Sequence, residues 1–517
     1  MLKKAGNLFV TAYLLLIFGI YPFYMNQGYV DIGKAKYQFF IYSSLAASAI
    51  LAAIGGILAI QNIRSRRRNH EPYLIDWERI SITDLCVMMY ATESFVSYTL
   101  SDYREEALWG TEGWYMGLVT QIVLCVLYFL ISRLWDGKEF VWYAGMAASG
   151  VVFILGILDR FSIYLIPLAV REPAFISTLG NINWFCGYLS IVAPVGICWF
   201  LFGLQGKVQG NRSGQRWKRW AAGVYVVAAF MAGFCQGSDS VFLFFGALFY
   251  ILLWITLKNR EWFRDFLLLI FLWGISAQAV RLFRRLFPES YNYETNNLCG
   301  YLTDSNITLI VSGTALIVYL VLRYKQGDGW LGNREQKMIH RIMAGLPVCG
   351  VLIWLAASLL HLPGSFFVLD KSWGNGRGMA ILSGLQMYGQ MPLVHKLFGA
   401  GPDCFSAYAY SLPEVAEQLR DVFGNNRLTN AHNELLTCLI NQGLLGVLLL
   451  AGVFLPFIRR CMKKGEENHI FYIFAVSMFC YFLHNMVSFA QVLNFSFLFL
   501  MLGMEEALFT TAGKNVR

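Results

Sequence analysis

Apolar residues gather into fourteen runs along this chain, at about 7–25, 38–60, 80–100, 113–132, 140–158, 184–203, 219–236, 240–257, 266–284, 304–323, 339–361, 434–458, 470–486 and 489–508. Each is near the roughly 20 residues that a helix needs to cross a bilayer. Lipid offers no partner to a free backbone N–H, so helices are the expected spanning form. The third run is interrupted by Thr83, Asp84, Thr92, Glu93 and Ser94. The pattern predicts an all-α, polytopic membrane helical bundle of about 12–14 transmembrane helices. Residues 1–361 form the main bundle, 362–433 a large extracytoplasmic loop with short helices, and 434–517 the last transmembrane helices.

Composition fits that reading. The chain is 57% hydrophobic and 14% charged, against roughly 25% charged residues in soluble domains. Mean hydropathy is +0.51. The net charge of +9 does not indicate nucleic acid, because the basic residues cluster in every second connection between apolar runs. Examples are Arg64 with Arg66–Arg68, Arg216 with Lys218 and Arg219, and Arg459 and Arg460 with Lys463 and Lys464. This is the positive-inside pattern, and it puts those connections and both termini in the cytoplasm. Lys3 and Lys4 before an apolar run resemble a signal peptide, but no small-residue cleavage site follows Phe23, so an uncleaved first span is expected. The 11 cysteines lie singly; only Cys299 and Cys404 fall in the outer loops, where a disulfide between them is left open.

The alternation leaves four longer connections outside, at about 101–112, 159–183, 285–303 and 362–433. In the last, Ser411-Leu412-Pro413-Glu414 has the form of a capping box with proline in the first turn. Leu412, Val415, Ala416, Leu419, Val422 and Phe423 follow at helical spacing, ending at Gly424. A second short helix is predicted from Gly378 to Tyr388, stopped before Pro392. Together these make a small cap whose apolar face lies on the bundle or at the lipid interface.

This loop also carries the candidate chemistry. Arg377 follows Gly374-Asn375-Gly376 and opens a helix, where free N–H groups and a guanidinium suit an anion; a plain capping arginine is the alternative. His432 stands where the loop re-enters the membrane. It is either a base for a hydroxyl nucleophile or a residue facing the headgroups. Asn433 and Glu434 orient it or a polar substrate, and Glu434 equally suits the first turn of a helix. Further outward polar groups are Arg160, Arg171, Asn181, Asn183, Arg281, Arg284, Arg285 and the His484-Asn485 pair. Arg281, Arg284 and Arg285 share a helix face, for anionic headgroups, a pyrophosphate or simple snorkelling. Asp239 in Gly237-Ser238-Asp239-Ser240 reads as solvated at a turn. No HExxH, outer-loop DxD, paired cysteines, P-loop or dinucleotide fingerprint is present, so no metal and no cofactor is expected.

Four segments carry a resemblance: Asn375-Gly376-Arg377, Leu397–Phe405, Ala431–Leu436 and Asn441–Gly446, with Thr178–Trp184 a weaker fifth. In this order the sequence resembles the O-antigen ligase and polymerase family of bacterial membrane glycosyltransferases. The resemblance implies a protein of the bacterial cytoplasmic (inner) membrane and an inverting, metal-independent transfer from an undecaprenyl-diphosphate-linked glycan to an acceptor hydroxyl. Arg377 would bind the diphosphate, and His432 would activate the acceptor or steady the leaving group. Where relatives carry an arginine this chain has Asp239, so Arg171, Arg281 or Arg284 is expected to take that role. Asn181 and Asn183 match the family's asparagine stretch. Implied partners are the lipid-linked glycan, membrane lipids, and a chain-length regulator or flippase; nucleic acid is not among them. A capsular or exopolysaccharide repeat-unit polymerase is favoured. A ligase or protein O-oligosaccharyltransferase of the same family is one alternative, and a polysaccharide transporter or flippase the other.

Overall fold

The computed structural model describes residues 2–68, 80–168, 170–203, 212–294, 297–324, 330–360, 370–371, 373–374 and 376–514, with only the backbone of 212–216 and 511–514. Among the described residues twenty α-helices form in chain order. The first eight are α1 (Leu2–Leu15), α2 (Ile32–Arg68), α3 (Ile82–Leu100), α4 (Arg104–Trp109), α5 (Leu118–Leu134), α6 (Phe140–Arg160), α7 (Ile182–Phe202) and α8 (Arg212–Cys235). There follow α9 (Val241–Thr256), α10 (Arg260–Leu286), α11 (Leu298–Asp304), α12 (Ile307–Tyr324) and α13 (Asn333–Leu359). The connection between α13 and the last long helices holds α14 (Arg377–Gln390), α15 (Leu393–Phe398), α16 (Phe405–Ser411) and α17 (Pro413–Phe423). The chain closes with α18 (Glu434–Lys464), α19 (Ile470–His484) and α20 (Val492–Lys514).

Each apolar run after the first overlaps one of these helices, and the first passes through α1, a π-helical segment at Leu16–Ile20 and a 3-10 turn at Tyr21–Phe23. Among the described residues, nine helices are long and apolar enough to cross a membrane, and three shorter apolar ones accompany them. The protein is therefore an all-α, membrane-type bundle. Its only strand pairing among the described residues is Phe175–Ile176 with Gly180–Asn181, a turn leading into α7.

Helices α7, α19 and α20 are buried on nearly all sides and form the centre. At the edge, α13 exposes most of its length and leans on α9, with His340 stacked 4.3 Å from Trp254. Of the polar residues that interrupt the third run, Asp84, Glu93 and Ser94 are buried and paired inward, while Thr92 is exposed. Asp84 closes a capping box with Ser81, accepts from Tyr128 at 2.8 Å and meets Arg133 at 2.7 Å. Glu93 accepts from Gln442 of α18 at 3.0 Å. Burying these groups is tolerable because each is hydrogen-bonded.

Two of the sequence's glycine-rich segments fit into each other. Helix α18 leaves helical geometry at Gly443 (φ 67°), which frees carbonyls one turn earlier. The turn at Gly399–Gly401 fills that break: Ala400 N donates to Ile440 O at 2.8 Å and Gly401 N to Asn441 O at 2.9 Å. A Cβ at Gly443 would meet the Leu397 carbonyl carbon at 2.3 Å, and one at Gly399 would meet that of Asn441 at 2.2 Å. Both positions have positive φ, so only glycine suits them. The same turn grips the 101–112 connection, because Asp403 Oδ2 accepts from Thr111 N at 2.8 Å and Met116 N at 2.9 Å.

The predicted cap exists, with differences. Helices α14, α16 and α17 bury Met379, Met387, Phe405, Val415 and Leu419 in a core of their own, closed below by Leu436 and Ile440 of α18. The apolar face of α17 thus packs inside the cap. The capping box at Ser411 does not form: Leu412 is the cap residue, and Ser411 Oγ donates instead to Tyr408 O at 2.8 Å. Proline in the first turn and the stop at Gly424 are as expected. Cys299 and Cys404 are separate, buried free thiols. Cys404 Sγ lies against Ser101 Oγ at 3.9 Å, while Cys299 N donates to Asp239.

Candidate functional site

Arg377 is the first residue of α14. Gly374 (φ 60°) and Gly376 (φ 89°) turn the chain into the helix in the left-handed region, which a side chain at either position would strain. Gly378 is required too, since a Cβ there would sit 1.9 Å from Asp370 O. Here the glycines serve the turn itself. Asn375, between them, lies outside the described residues. The Arg377 guanidinium is largely buried and its Nε has no hydrogen-bond partner among the described residues. Burial lowers its pKa, and the nearby Asp239 carboxylate partly restores it.

His432 sits in a left-handed turn (φ 49°) held by Asn430, whose Oδ1 accepts from His432 N at 2.9 Å. The ring stands edge-on to Phe489 at 5.4 Å, and its Nδ1 is buried without a hydrogen-bond partner among the described residues. Burial lowers the His432 pKa to about 4, and the positive charge of Arg377 adds to that shift. The imidazole is thus neutral near pH 7 and within electrostatic reach of the guanidinium. A non-glycine residue with positive φ stores backbone strain, which occurs most often where a side chain must be aimed.

A second histidine lies in the same region. His484 closes α19, fully buried, with Nε2 at 3.1 Å from Ser240 Oγ and Nδ1 at 3.2 Å from Asn485 Oδ1. Ser238 Oγ bridges Ser240 Oγ at 2.9 Å and donates to Asn183 Oδ1 at 2.7 Å. Asp239 is exposed, accepts from Cys299 N at 3.3 Å and faces Arg377 electrostatically. Five separate parts of the chain therefore meet here: the start of α7, the α8–α9 turn, the start of α14, the turn before α18 and the end of α19.

The sequence-derived residues divide accordingly. Arg377, His432 and Asn183 belong to this polar cluster. Asn433 caps α18, accepting from Leu436 N at 3.0 Å and donating to Met486 O at 2.9 Å. Glu434 accepts from Ala490 N at 2.6 Å, so both side chains anchor the 485–491 segment below His432. Asn181 caps α7 through Asn183 N at 2.8 Å.

Arg171 lies in a separate cavity of about 160 Å3, stacked 3.7 Å over Tyr164, 3.7 Å from Asp159 and bonded to Ile166 O. Arg281 donates to Asn306 at 3.0 Å; Arg284 donates to Thr303 and Asp304, each at 3.0 Å; Arg285 is exposed. These three basic groups diverge, Arg284 turned onto α11 and Arg281 onto the turn between α11 and α12. Arg160 is buried and holds three carbonyls, of Cys235, Pro173 and Gln236. Sequence spacing did not single out His484 with Ser240 as a linked pair; the only signal was a histidine next to an asparagine at the end of an apolar run. No protein-family model and no curated protein sequence matches this chain.

Proposed function

We propose that the protein is a glycosyltransferase of the bacterial cytoplasmic membrane. On this reading it elongates a polysaccharide from undecaprenyl-diphosphate-linked repeat units on the extracytoplasmic side. The observation that carries the reading is the placement of the Arg377 guanidinium within electrostatic reach of a neutral His432 imidazole, with Arg377 Nε and His432 Nδ1 both buried and without a hydrogen-bond partner among the described residues.

In the reaction, the acceptor sugar hydroxyl attacks the anomeric carbon of the donor glycan. The bond from that carbon to the diphosphate oxygen breaks with inversion, and the lipid diphosphate leaves. Arg377 stabilises the charge that develops on the departing diphosphate, the largest effect available to such a site. His432 takes the proton of the acceptor hydroxyl. A pKa of about 4 makes His432 a weak base in the empty site. A bound diphosphate offsets the charge of Arg377 and so raises the basicity of the imidazole, which readies the base only when the donor is present. The 485–491 segment, held by Asn433 and Glu434, fixes Phe489 against the imidazole edge.

Purified protein supplied with lipid-linked repeat units should yield longer lipid-linked chains, and chelation by EDTA should leave the rate unchanged. Arg377→Ala and His432→Ala should each lower the rate at least about 100-fold, the lower bound for loss of a general base, while protein levels in the membrane stay normal. Wild-type rates in both variants would overturn the assignment. Products built on a lipid A core or on Ser or Thr would replace the polymerase with a ligase or a protein glycosyltransferase.

A further inference from the structure

A cavity lies at the other end of α8 from this cluster. It measures about 770 Å3 and runs between α8 and α12, both of which pack on α10. Arg219, Arg264 and Arg323 line it, at the end of the bundle that carries the basic connections. One carboxylate, Asp265, faces them. It holds Arg219 at 2.8 Å and stands 3.8 Å from Arg264 Nε, which is buried without a hydrogen-bond partner among the described residues. Arg323 meets the Tyr319 hydroxyl at 3.4 Å. Three guanidinium groups against one carboxylate leave an excess of two positive charges.

The rest of the lining is apolar, with Trp220, Val224 and Leu268 along its length. Trp220 is 68% exposed and Trp217, one turn away, is 61% exposed. Exposed tryptophans beside arginines mark the headgroup level of a membrane. A polar ligand alone would leave the apolar walls unfilled, and a hydrocarbon alone would leave the cations unanswered.

We propose that this groove binds an anionic phospholipid, with its phosphodiester on Arg264 and Arg323 and an acyl chain along Trp220 and Leu268. Basic pockets between transmembrane helices suit such headgroups, because the low dielectric of the surroundings strengthens the pairing. Guanidinium forks also match phosphate oxygens two at a time.

The test is native mass spectrometry of the full-length protein in detergent. Phosphatidylglycerol and phosphatidylcholine of the same acyl chains would be added in turn. Phosphatidylglycerol should remain bound and phosphatidylcholine should not. Arg264→Gln and Arg323→Gln should each weaken phosphatidylglycerol binding roughly fivefold, the value of one basic residue at an anionic surface. Leu268→Trp, which fills the floor and leaves every arginine, should displace the lipid as well. Arg285→Gln, outside the groove, should bind as the wild type does, and unchanged gel-filtration volumes would separate lost binding from lost fold. Equal retention of the two lipids, full retention by the arginine variants, or preferential capture of undecaprenyl phosphate would overturn the proposal.

Discussion

His432 shows how one side chain is prepared by its surroundings. Burial first, and the Arg377 charge second, hold its pKa near 4, below the ordinary 6.5. A histidine with a depressed pKa stays neutral in the folded protein while the unfolded chain takes up a proton. Its contribution to stability is therefore complete above about pH 6.5 and is lost as pH falls toward about 4. Thermal unfolding followed between those limits should show a shallower acid loss in His432→Gln than in the wild type; equal slopes would deny the buried, neutral state. In Arg377→Gln, the His432 titration should move upward, read from the imidazole NMR signals, because one of its two causes is gone. Asp403 is a residue of another kind, an acceptor for two backbone N–H groups. Asp403→Ala leaves both unpaired and should cost about 1–3 kcal/mol for each buried donor, whereas Asp403→Asn keeps an acceptor and should cost less.

At the scale of elements, the break in α18 and the turn that fills it act as one unit. Gly443→Ala forces a side chain into the left-handed region, about 1–2 kcal/mol on its own, and drives a Cβ into the Leu397 backbone. A lower midpoint in thermal unfolding is expected, larger than for alanine at Gly389, whose Cβ would meet open space. The helices themselves were legible in the sequence, because apolar runs near the bilayer's thickness have little choice of structure. So were α14 and α17, since glycine and proline punctuate both ends. The clasp was not legible, because two glycine segments read as separate turns until their backbones are seen to interlock. Ser411 misled for a local reason. Its hydroxyl satisfies Tyr408 O, at the end of α16, and so is not free to cap α17. Glu434 lies in the first turn of α18, one of the two readings the sequence left open, but the hold that it and Asn433 have on the 485–491 backbone cannot be seen from spacing.

For the whole molecule, the long helices gather their ends at two levels. Arg377, His432, Asp239 and His484 share one, while Arg219, Arg264 and the Lys258–Glu466 pair share the other. Loop charge assigns the second group to the cytoplasmic side, an expectation that the reporter fusions below test. Which basic groups would join His432 remained open, because Arg171, Arg281 and Arg284 look equally placed in a linear reading. In the structure those three hold other partners, Asp159, Asn306 and Asp304. The topology has a direct check: a reporter fused after residue 514 should be active only in the cytoplasm, and one inserted at Gly424 only outside.

The central claim is that Arg377 and His432 work on one substrate as a single unit, and a double-mutant cycle on the elongation rate tests it most directly. With Arg377→Ala, His432→Ala and the double variant assayed on lipid-linked repeat units, the double variant should be hardly slower than the worse single one. Losses that multiply independently, or full activity in either single variant, would contradict it.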